Sequence, residues 1–213
     1  MDLKLFSIAN ALVGNSINEG VLEFAYQGPL LKLENGRIKI AIVGNISFQI
    51  IKSKHKIIEG LCNRTYILEK GDQIDIMATK KSAYGYMSLE GGFNIKPFYK
   101  SVSILSRAEI GPNGGKKLKI NDKININNQS KNKKNFSAKI TNKTENTIRV
   151  LEGPQFNYFS KESQKKFFSS EYKVSNLTDR MGMRLEGSII KNIVNPNIRS
   201  EGITKGAIQV PAD

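Results

Sequence analysis

The side chains best suited to chemistry are concentrated in the last third of the chain. Residues 179–187 read Asp-Arg-Met-Gly-Met-Arg-Leu-Glu-Gly. In an extended segment Arg180, Arg184 and Glu186 would share one face, because alternate side chains of a strand point to the same side. Two guanidinium groups on one face could bind a carboxylate or phosphate through paired hydrogen bonds, with Asp179 and Glu186 holding them in place. A surface ladder of Arg and Glu with turn glycines would give the same pattern.

A second group of small and polar residues follows in the sequence, between residues 200 and 209. Residues 200–202 read Ser-Glu-Gly, and residues 206–209 read Gly-Ala-Ile-Gln. Small residues such as Ser200 and Gly202 let a ligand approach backbone N–H groups. The side-chain amide of Gln209 offers a donor and an acceptor that can pair with a ureido or lactam edge. These residues could form part of a site for an anionic group and an amide edge, or they could be turn residues beside a surface ladder of Arg and Glu.

Few other residues could act as a nucleophile or a metal ligand. The chain has one His and one Cys, so a structural zinc site of several Cys and His ligands cannot be built. His55 lies in the Lys-rich run 52–56, which is typical of a solvated loop or the end of a strand. Cys62 is expected to be a small buried apolar residue rather than a nucleophile. We therefore predict no metal site and no triad that depends on His55.

The composition predicts the cellular compartment and excludes two classes of partner. No run approaches the roughly 18 apolar residues of a membrane span, and the N-terminal residues do not resemble a signal peptide. A single Cys fits a reducing compartment, which predicts a cytoplasmic protein. The net charge of +14 comes mainly from Lys dispersed among Asn and Ile, without a recognisable nucleic-acid-binding motif. We expect neither nucleic acid nor membrane as a partner.

The elements that must position these residues are mostly strands. Residues 3–13 have apolar side chains at helical spacing, with Asp2 as N-cap and Gly14 just after the end. After this helix, short runs of alternating apolar residues are separated by glycines, which favours a mainly antiparallel barrel or sandwich. Asn35-Gly36 predicts a two-residue hairpin that joins strands at 30–33 and 37–43. The other predicted strands of this part cover residues 21–26, 47–51, 66–68, 73–77, 84–89 and a pair within 117–126.

Two domains are predicted on either side of a polar segment. Residues 129–146 are rich in Asn, Lys and Ser and lack periodicity, as a linker does. Residues 1–128 would form the first β domain and residues 147–213 the second. In the second domain we expect strands at 147–151, 172–174, 184–186 and 207–210, and a helix that Ser160 caps.

Several motifs along the chain together resemble one known family. In addition to the run 179–187, these motifs are Ala-Asn-Ala-Leu-Val-Gly-Asn at 9–15, Leu-Glu-Phe-Ala-Tyr-Gln-Gly-Pro at 22–29, Ala-Ile-Val-Gly at 41–44, Gly-Tyr-Met-Ser-Leu-Glu-Gly-Gly-Phe at 85–93, Ile-Arg-Val-Leu-Glu-Gly-Pro-Gln at 148–155 and the segments 200–202 and 206–211. The chain resembles the biotin-dependent carboxyltransferase family, which is also described as allophanate hydrolase subunit 2 or as the C subunit of 5-oxoprolinase.

The resemblance implies a fold and a reaction class. It implies two cyclophilin-like β-barrels, the second of them incomplete in this chain, with few short helices. It implies a component of an ATP-dependent 5-oxoprolinase that acts with A-like and B-like subunits, with ATP used by the complex. An alternative within the family is transfer of a carboxyl group from carboxybiotin to urea or a similar amide. A second alternative is a non-catalytic regulatory partner of a B-like protein.

The resemblance also implies roles for the predicted site residues, and this sequence departs from the family's pattern in two ways. Arg180 and Arg184 would bind the anionic group, Glu186 or Glu201 would orient them or act as general base, and the amide would be bound by Gln209 and groups near Ser200 and Gly202. Residues 100–104 read Lys-Ser-Val-Ser-Ile, so Val102 stands where the family has an Arg. The family also extends beyond both ends of this sequence, so we expect a fragment trimmed at both ends.

Overall fold

The computed structural model describes residues 2–127, 134–141, 147–179, 181–195, 198–199 and 201–211. The chain divides into two compact units, Met1–Asn142 and Lys143–Asp213, here called unit 1 and unit 2. The division falls inside the segment 129–146 that the sequence predicts as a linker.

Unit 1 begins with the predicted helix, α1 (Leu3–Val13). The Asp2 carboxylate accepts hydrogen bonds from the backbone N–H groups of Lys4 and Leu5, which closes the first turn. Gly14 ends the helix with φ of 80°, a left-handed conformation that glycine adopts without steric cost. The apolar face of α1 packs on one sheet of unit 1, where the buried residues of both sides are Ala9, Leu12, Val13, Ala41, Val43 and Tyr86.

The rest of unit 1 is built from antiparallel strands. They are β1 (Leu22–Ala25), β2 (Leu30–Lys32), β3 (Arg37–Val43), β4 (Ile46–Ile51), β5 (Ile57–Glu59), β6 (Arg64–Glu69), β7 (Gln73–Thr79) and β8 (Tyr84–Leu89). Among the described residues of this unit, one four-stranded sheet has the order β1-β8-β3-β6 and another has the order β2-β7-β4-β5. The prediction of a mainly antiparallel β fold is confirmed, and closure of the sheets into barrels stays a prediction.

The two sheets share the main hydrophobic core. Ile38, Ile40 and Ile42 of β3 meet Phe48 and its neighbours on β4 and β7 in one buried cluster. Burial of each such side chain contributes about 1.5–3 kcal/mol. Alternate residues of β3 face the other side, towards α1, so both faces of this strand are buried.

The predicted hairpin at Asn35-Gly36 is wrong. Strand β2 pairs with β7, whereas β3 pairs with β6 and β8, so the two strands that flank the turn lie in different sheets. Strand β3 is bonded to β6 along one edge and to β8 along the other, so no edge remains for β2. Gly36 has the positive φ of a turn, at 81°, but the chain uses the turn to pass from one sheet to the other.

The predicted strand pair within 117–126 is also wrong. The residues of this segment are not in strands, and Asn121 has φ of 70° in a turn where Asp122 accepts the N–H of Lys119. The described residues 134–141, which the sequence predicts as linker, instead lie beside β6. Backbone N–H groups of Thr65 and Ala138 donate to the carbonyls of Phe136 and Asn63, each at 2.8 Å.

Unit 2 has less regular structure within its described residues. Helix α2 (Lys161–Ser169) begins where predicted, with the Ser160 hydroxyl accepting the N–H of Ser163. Strands β9 (Tyr172–Val174) and β10 (Leu185–Gly187) pair antiparallel. The predicted strands at 147–151 and 207–210 are not formed, and apolar side chains there are exposed, including Leu151 at 97 %. Neither helix found among the described residues is long and apolar enough to cross a membrane.

Candidate functional site

The motif at 179–187 forms a turn followed by a short strand of unit 2. The Asp179 carboxylate accepts the backbone N–H groups of Met181 and Gly182, so this side chain stabilises its own turn. Strand β10 follows this turn and starts at Leu185. The Arg184 N–H donates to the Thr178 hydroxyl, and the Arg184 carbonyl accepts the N–H of Ser175.

The predicted site residues that the structure describes in unit 2 are all exposed. Glu186 lies on β10 opposite Lys173, and the side chains of Arg184 and Glu186 both face solvent. Glu201, Gly202 and Gln209 lie in exposed segments without helix or strand. Arg180 and Ser200 lie outside the described residues. Within the ranges that the structure covers, no hydrogen bond or ion pair joins Arg184 to the predicted glutamates or to Gln209.

Unit 1 contains a polar network that sequence reasoning missed. Asn10, on α1, is fully buried and accepts a hydrogen bond from the Ser88 hydroxyl at 2.9 Å. Asn15, just after α1, donates to the Leu89 carbonyl at 2.8 Å and accepts the N–H of Gly91 at 2.9 Å. The motifs 9–15 and 85–93 are thus joined side by side, which ties the end of α1 to the turn after β8.

An ion pair between a buried lysine and a partly exposed glutamate lies beside this network. Lys39 of β3 is only 1 % exposed, although its neighbours on the same face, Ala41 and Val43, are apolar. Its ammonium nitrogen lies 3.9 Å from Oε1 of Glu90, and the Phe136 ring covers it with the centroid 5.5 Å away. The other carboxylate oxygen of Glu90 is buried without a hydrogen-bond partner among the described residues.

These groups line a groove of ≈ 340 Å³ at the C-terminal end of α1. We call it the α1 groove; it is lined by residues 11–13 together with Gly14, Asn15, Lys39, Glu90, Gly91 and Phe136. The carbonyl groups at the end of a helix carry partial negative charge, so the groove combines this field with one ammonium and one carboxylate. Such a set can bind a small molecule that has both hydrogen-bond acceptors and donors.

The remaining candidates for chemistry are placed as follows. His55 is exposed in a tight turn with φ of 62°, and its N–H donates to the Lys52 carbonyl. Cys62 is half-buried and donates to the Ile46 carbonyl at 3.2 Å; its burial raises the pKa of the thiol. Val102 packs on Gly20, and a Cβ atom on this glycine would lie 2.8 Å from Cγ2 of Val102. In the parts of the chain that are described, no three His, Cys, Asp or Glu residues are grouped as metal ligands.

The whole chain, residues 1–213, matches the family model described as carboxyltransferase domain, subdomain A and B. The protein therefore belongs to the carboxyltransferase-domain family. Among curated proteins it is 25 % identical over 215 residues to the C subunit of 5-oxoprolinase from Escherichia coli K12, covering 99 % of this chain and 66 % of that protein. It is 28 % identical over 203 residues to urea amidolyase of Lachancea kluyveri, covering 88 % of this chain and 11 % of that enzyme.

A solved structure shares the fold of this chain. The crystal structure of TTHA0988 has a TM-score of 0.79 with this chain at 24 % sequence identity, covering 100 % of this chain and 41 % of that one. At this identity the likeness shows the fold alone. The chain spans less than two thirds of the length of the curated relatives that it matches.

Proposed function

We propose that this protein is a C-type subunit of an ATP-dependent 5-oxoprolinase, which opens the lactam of 5-oxoproline to give glutamate. The observation that carries the proposal is the sequence relationship to the C subunit of 5-oxoprolinase over 99 % of this chain. A-like and B-like subunits would complete the enzyme, which would act in the cytoplasm. We assign the use of ATP to the complex and to no residue of this chain.

Within this proposal the exposed polar residues of unit 2 act on the substrate. Arg184, together with Arg180, would bind the substrate carboxylate through charge-assisted hydrogen bonds. Glu186 or Glu201 would orient the guanidinium groups or act as general base. Gln209, with backbone groups near Ser200 and Gly202, would hydrogen-bond the ring amide. The exposure of Arg184, Glu186 and Gln209 leaves them accessible to a substrate or to another protein of the complex.

A second candidate is a carboxyltransferase component that moves a carboxyl group from carboxybiotin to urea or a similar amide. The match to urea amidolyase of Lachancea kluyveri, 28 % identical over 203 residues, supports it. Both reactions act on a small planar amide, so the same donors and acceptors would suit either substrate. Biotin would take part only in this second reaction.

The test is co-expression of the full-length protein with its genomic neighbours. The purified complex is assayed for ATP-dependent release of glutamate from 5-oxoproline and, separately, for carboxylation of urea. We expect glutamate release that falls at least about tenfold in Arg184→Ala, because a charge-assisted bond to the substrate is lost. Lys165→Ala, which removes an exposed cation from α2 of the same unit, is the matched control and should leave the rate unchanged.

The outcomes separate the candidates. Urea carboxylation without glutamate release would replace the first function by the second. Tight binding to a B-like protein with neither activity would identify a regulatory partner instead. An Arg184→Ala complex with full activity would contradict the role of this guanidinium group while leaving the reaction itself in place.

A further inference from the structure

The Lys39–Glu90 pair in unit 1 is not arranged as a structural ion pair. A buried ion pair stabilises a fold only when hydrogen bonds satisfy both partners, since removing each charge from water costs several kcal/mol. The pair between Lys52 and Asp72 meets this condition. Lys52 donates directly to the Asp72 carboxylate, which also accepts the backbone N–H groups of Ser53 and Glu69 at 2.9 and 2.8 Å.

Lys39 and Glu90 lack these bonds. The closest distance between the ammonium and the carboxylate, 3.9 Å, is too long for a hydrogen bond. Among the described residues, the contacts of the Lys39 ammonium are the distant Glu90 carboxylate and the Phe136 ring, and Oε2 of Glu90 has no donor. Backbone hydrogen bonds nevertheless fix the positions of both residues. The N–H of Glu90 donates to the Lys39 carbonyl at 2.9 Å, and the N–H of the next residue, Gly91, donates to the Asn15 side chain. Rigid donors and acceptors that face a cavity are suited to binding a ligand.

The charges around the α1 groove determine which ligand fits. An anion would be repelled by Glu90 and by the carbonyl end of α1, and a cation would be repelled by Lys39. A neutral group with an acceptor beside a donor satisfies both side chains. The cis-amide edge of a lactam or a urea has this form, with its C=O accepting from Lys39 and its N–H donating to Glu90. The groove, at ≈ 340 Å³, has room for a small ring.

We propose that Lys39 and Glu90 bind the cis-amide edge, the adjacent C=O and N–H groups, of a small lactam or urea in the α1 groove. The proposal rests on the proposed function, because it identifies residues that would recognise the amide of the substrate. It places a binding site within unit 1 alone and makes no use of the residues of unit 2.

The experiment measures binding to the full-length protein alone by calorimetry, without turnover. The first probe is 2-pyrrolidinone, a neutral lactam without a carboxylate; N-methyl-2-pyrrolidinone, which lacks the N–H, is its matched control. We expect the first to bind and the second to bind at least about tenfold more weakly, because the bond to Glu90 is lost. Equal binding of the two lactams, or no binding of 2-pyrrolidinone, would overturn the proposal.

Variants test the two side chains directly. We expect Lys39→Met and Glu90→Met each to weaken binding of 2-pyrrolidinone by about tenfold or more. The double variant leaves no unpaired buried charge and keeps the test valid if a single variant does not fold. The exposed pair Lys123–Glu34, 3.2 Å apart, is the matched control, and Lys123→Met should bind as the parent does.

Other results separate this proposal from the proposed function. Undiminished binding in the double variant would refute the proposal even if the complex releases glutamate. Loss of binding in Gln209→Ala but not in Lys39→Met would also refute it. Binding of urea that depends on Lys39 would support it and would favour the carboxyltransferase reaction. Lys39-dependent lactam binding in a complex that does not release glutamate would support it while contradicting the 5-oxoprolinase activity.

Discussion

Asn15 should hold the polar network of unit 1 together. Replacing it by Ala removes a bond to the Leu89 carbonyl at 2.8 Å and one from the Gly91 N–H at 2.9 Å. Each bond contributes about 1 kcal/mol, and each backbone group left unpaired in a half-buried place adds to the loss. We expect Asn15→Ala to lower the free energy of unfolding by about 2–4 kcal/mol. The measurement is a urea titration followed by far-ultraviolet circular dichroism.

Asn127→Ala is the matched control, because it removes a single bond to the Gly91 carbonyl, at 3.0 Å, from an exposed side chain. This change should cost about 0.5–1 kcal/mol. Hydrogen exchange of the Gly91 amide should accelerate in Asn15→Ala. The reasoning is refuted if Asn15→Ala loses no more stability than Asn127→Ala.

Three further predictions concern the stability and reactivity of single residues. Burial alone would raise the pKa of Asp72, but its hydrogen bonds outweigh this effect and lower the pKa. The carboxylate therefore stabilises the fold at neutral pH, and this stability is lost as the pH falls through the folded pKa. Between about pH 6 and pH 3 the parent should lose more stability in urea titrations than Asp72→Asn, and equal losses would contradict this. Because burial raises the pKa of Cys62, its alkylation by iodoacetamide at about pH 8 should be roughly tenfold slower than that of glutathione, and an equal rate would show an accessible thiolate. Gly28→Ala forces a methyl group onto Ile76 and should lower the free energy of unfolding by about 1–3 kcal/mol. Gly153 has open space around it, so Gly153→Ala should change this free energy by less than about 0.5 kcal/mol. Similar values for the two variants would refute the packing argument.

Local signals predicted the elements that depend on local interactions. Asp2 and Gly14 fix both ends of α1 through bonds within one turn, and Ser160 does the same at the start of α2. The alternation of apolar residues located most strands of unit 1 to within one or two residues. The pairing of these strands was harder to predict, because the partners of β3 lie far along the chain and the turn at residue 36 does not determine them.

The candidate site of unit 1 depends on contacts far apart in the sequence. Asn10 and Ser88 are 78 residues apart, so neither indicates its partner locally. One signal was present in the sequence: Lys39 lies between Ile38 and Ile40, on the same face as Ala41, and a lysine on an otherwise apolar face of a central strand is unusual. In unit 2, residues 147–151 alternate like a strand, but the structure has no strand there, so the alternation alone was not enough to predict one.

The segment 134–141 also bears on how molecules of this protein meet one another. Strand β6 is the last strand of its sheet, and an uncovered last strand presents free N–H and C=O groups that can pair with another chain. Phe136 and Ala138 occupy these groups through bonds to Thr65 and Asn63. Removal of the segment would expose the backbone groups of Asn63 and Thr65 at the start of this edge, where a strand of another chain could pair with them.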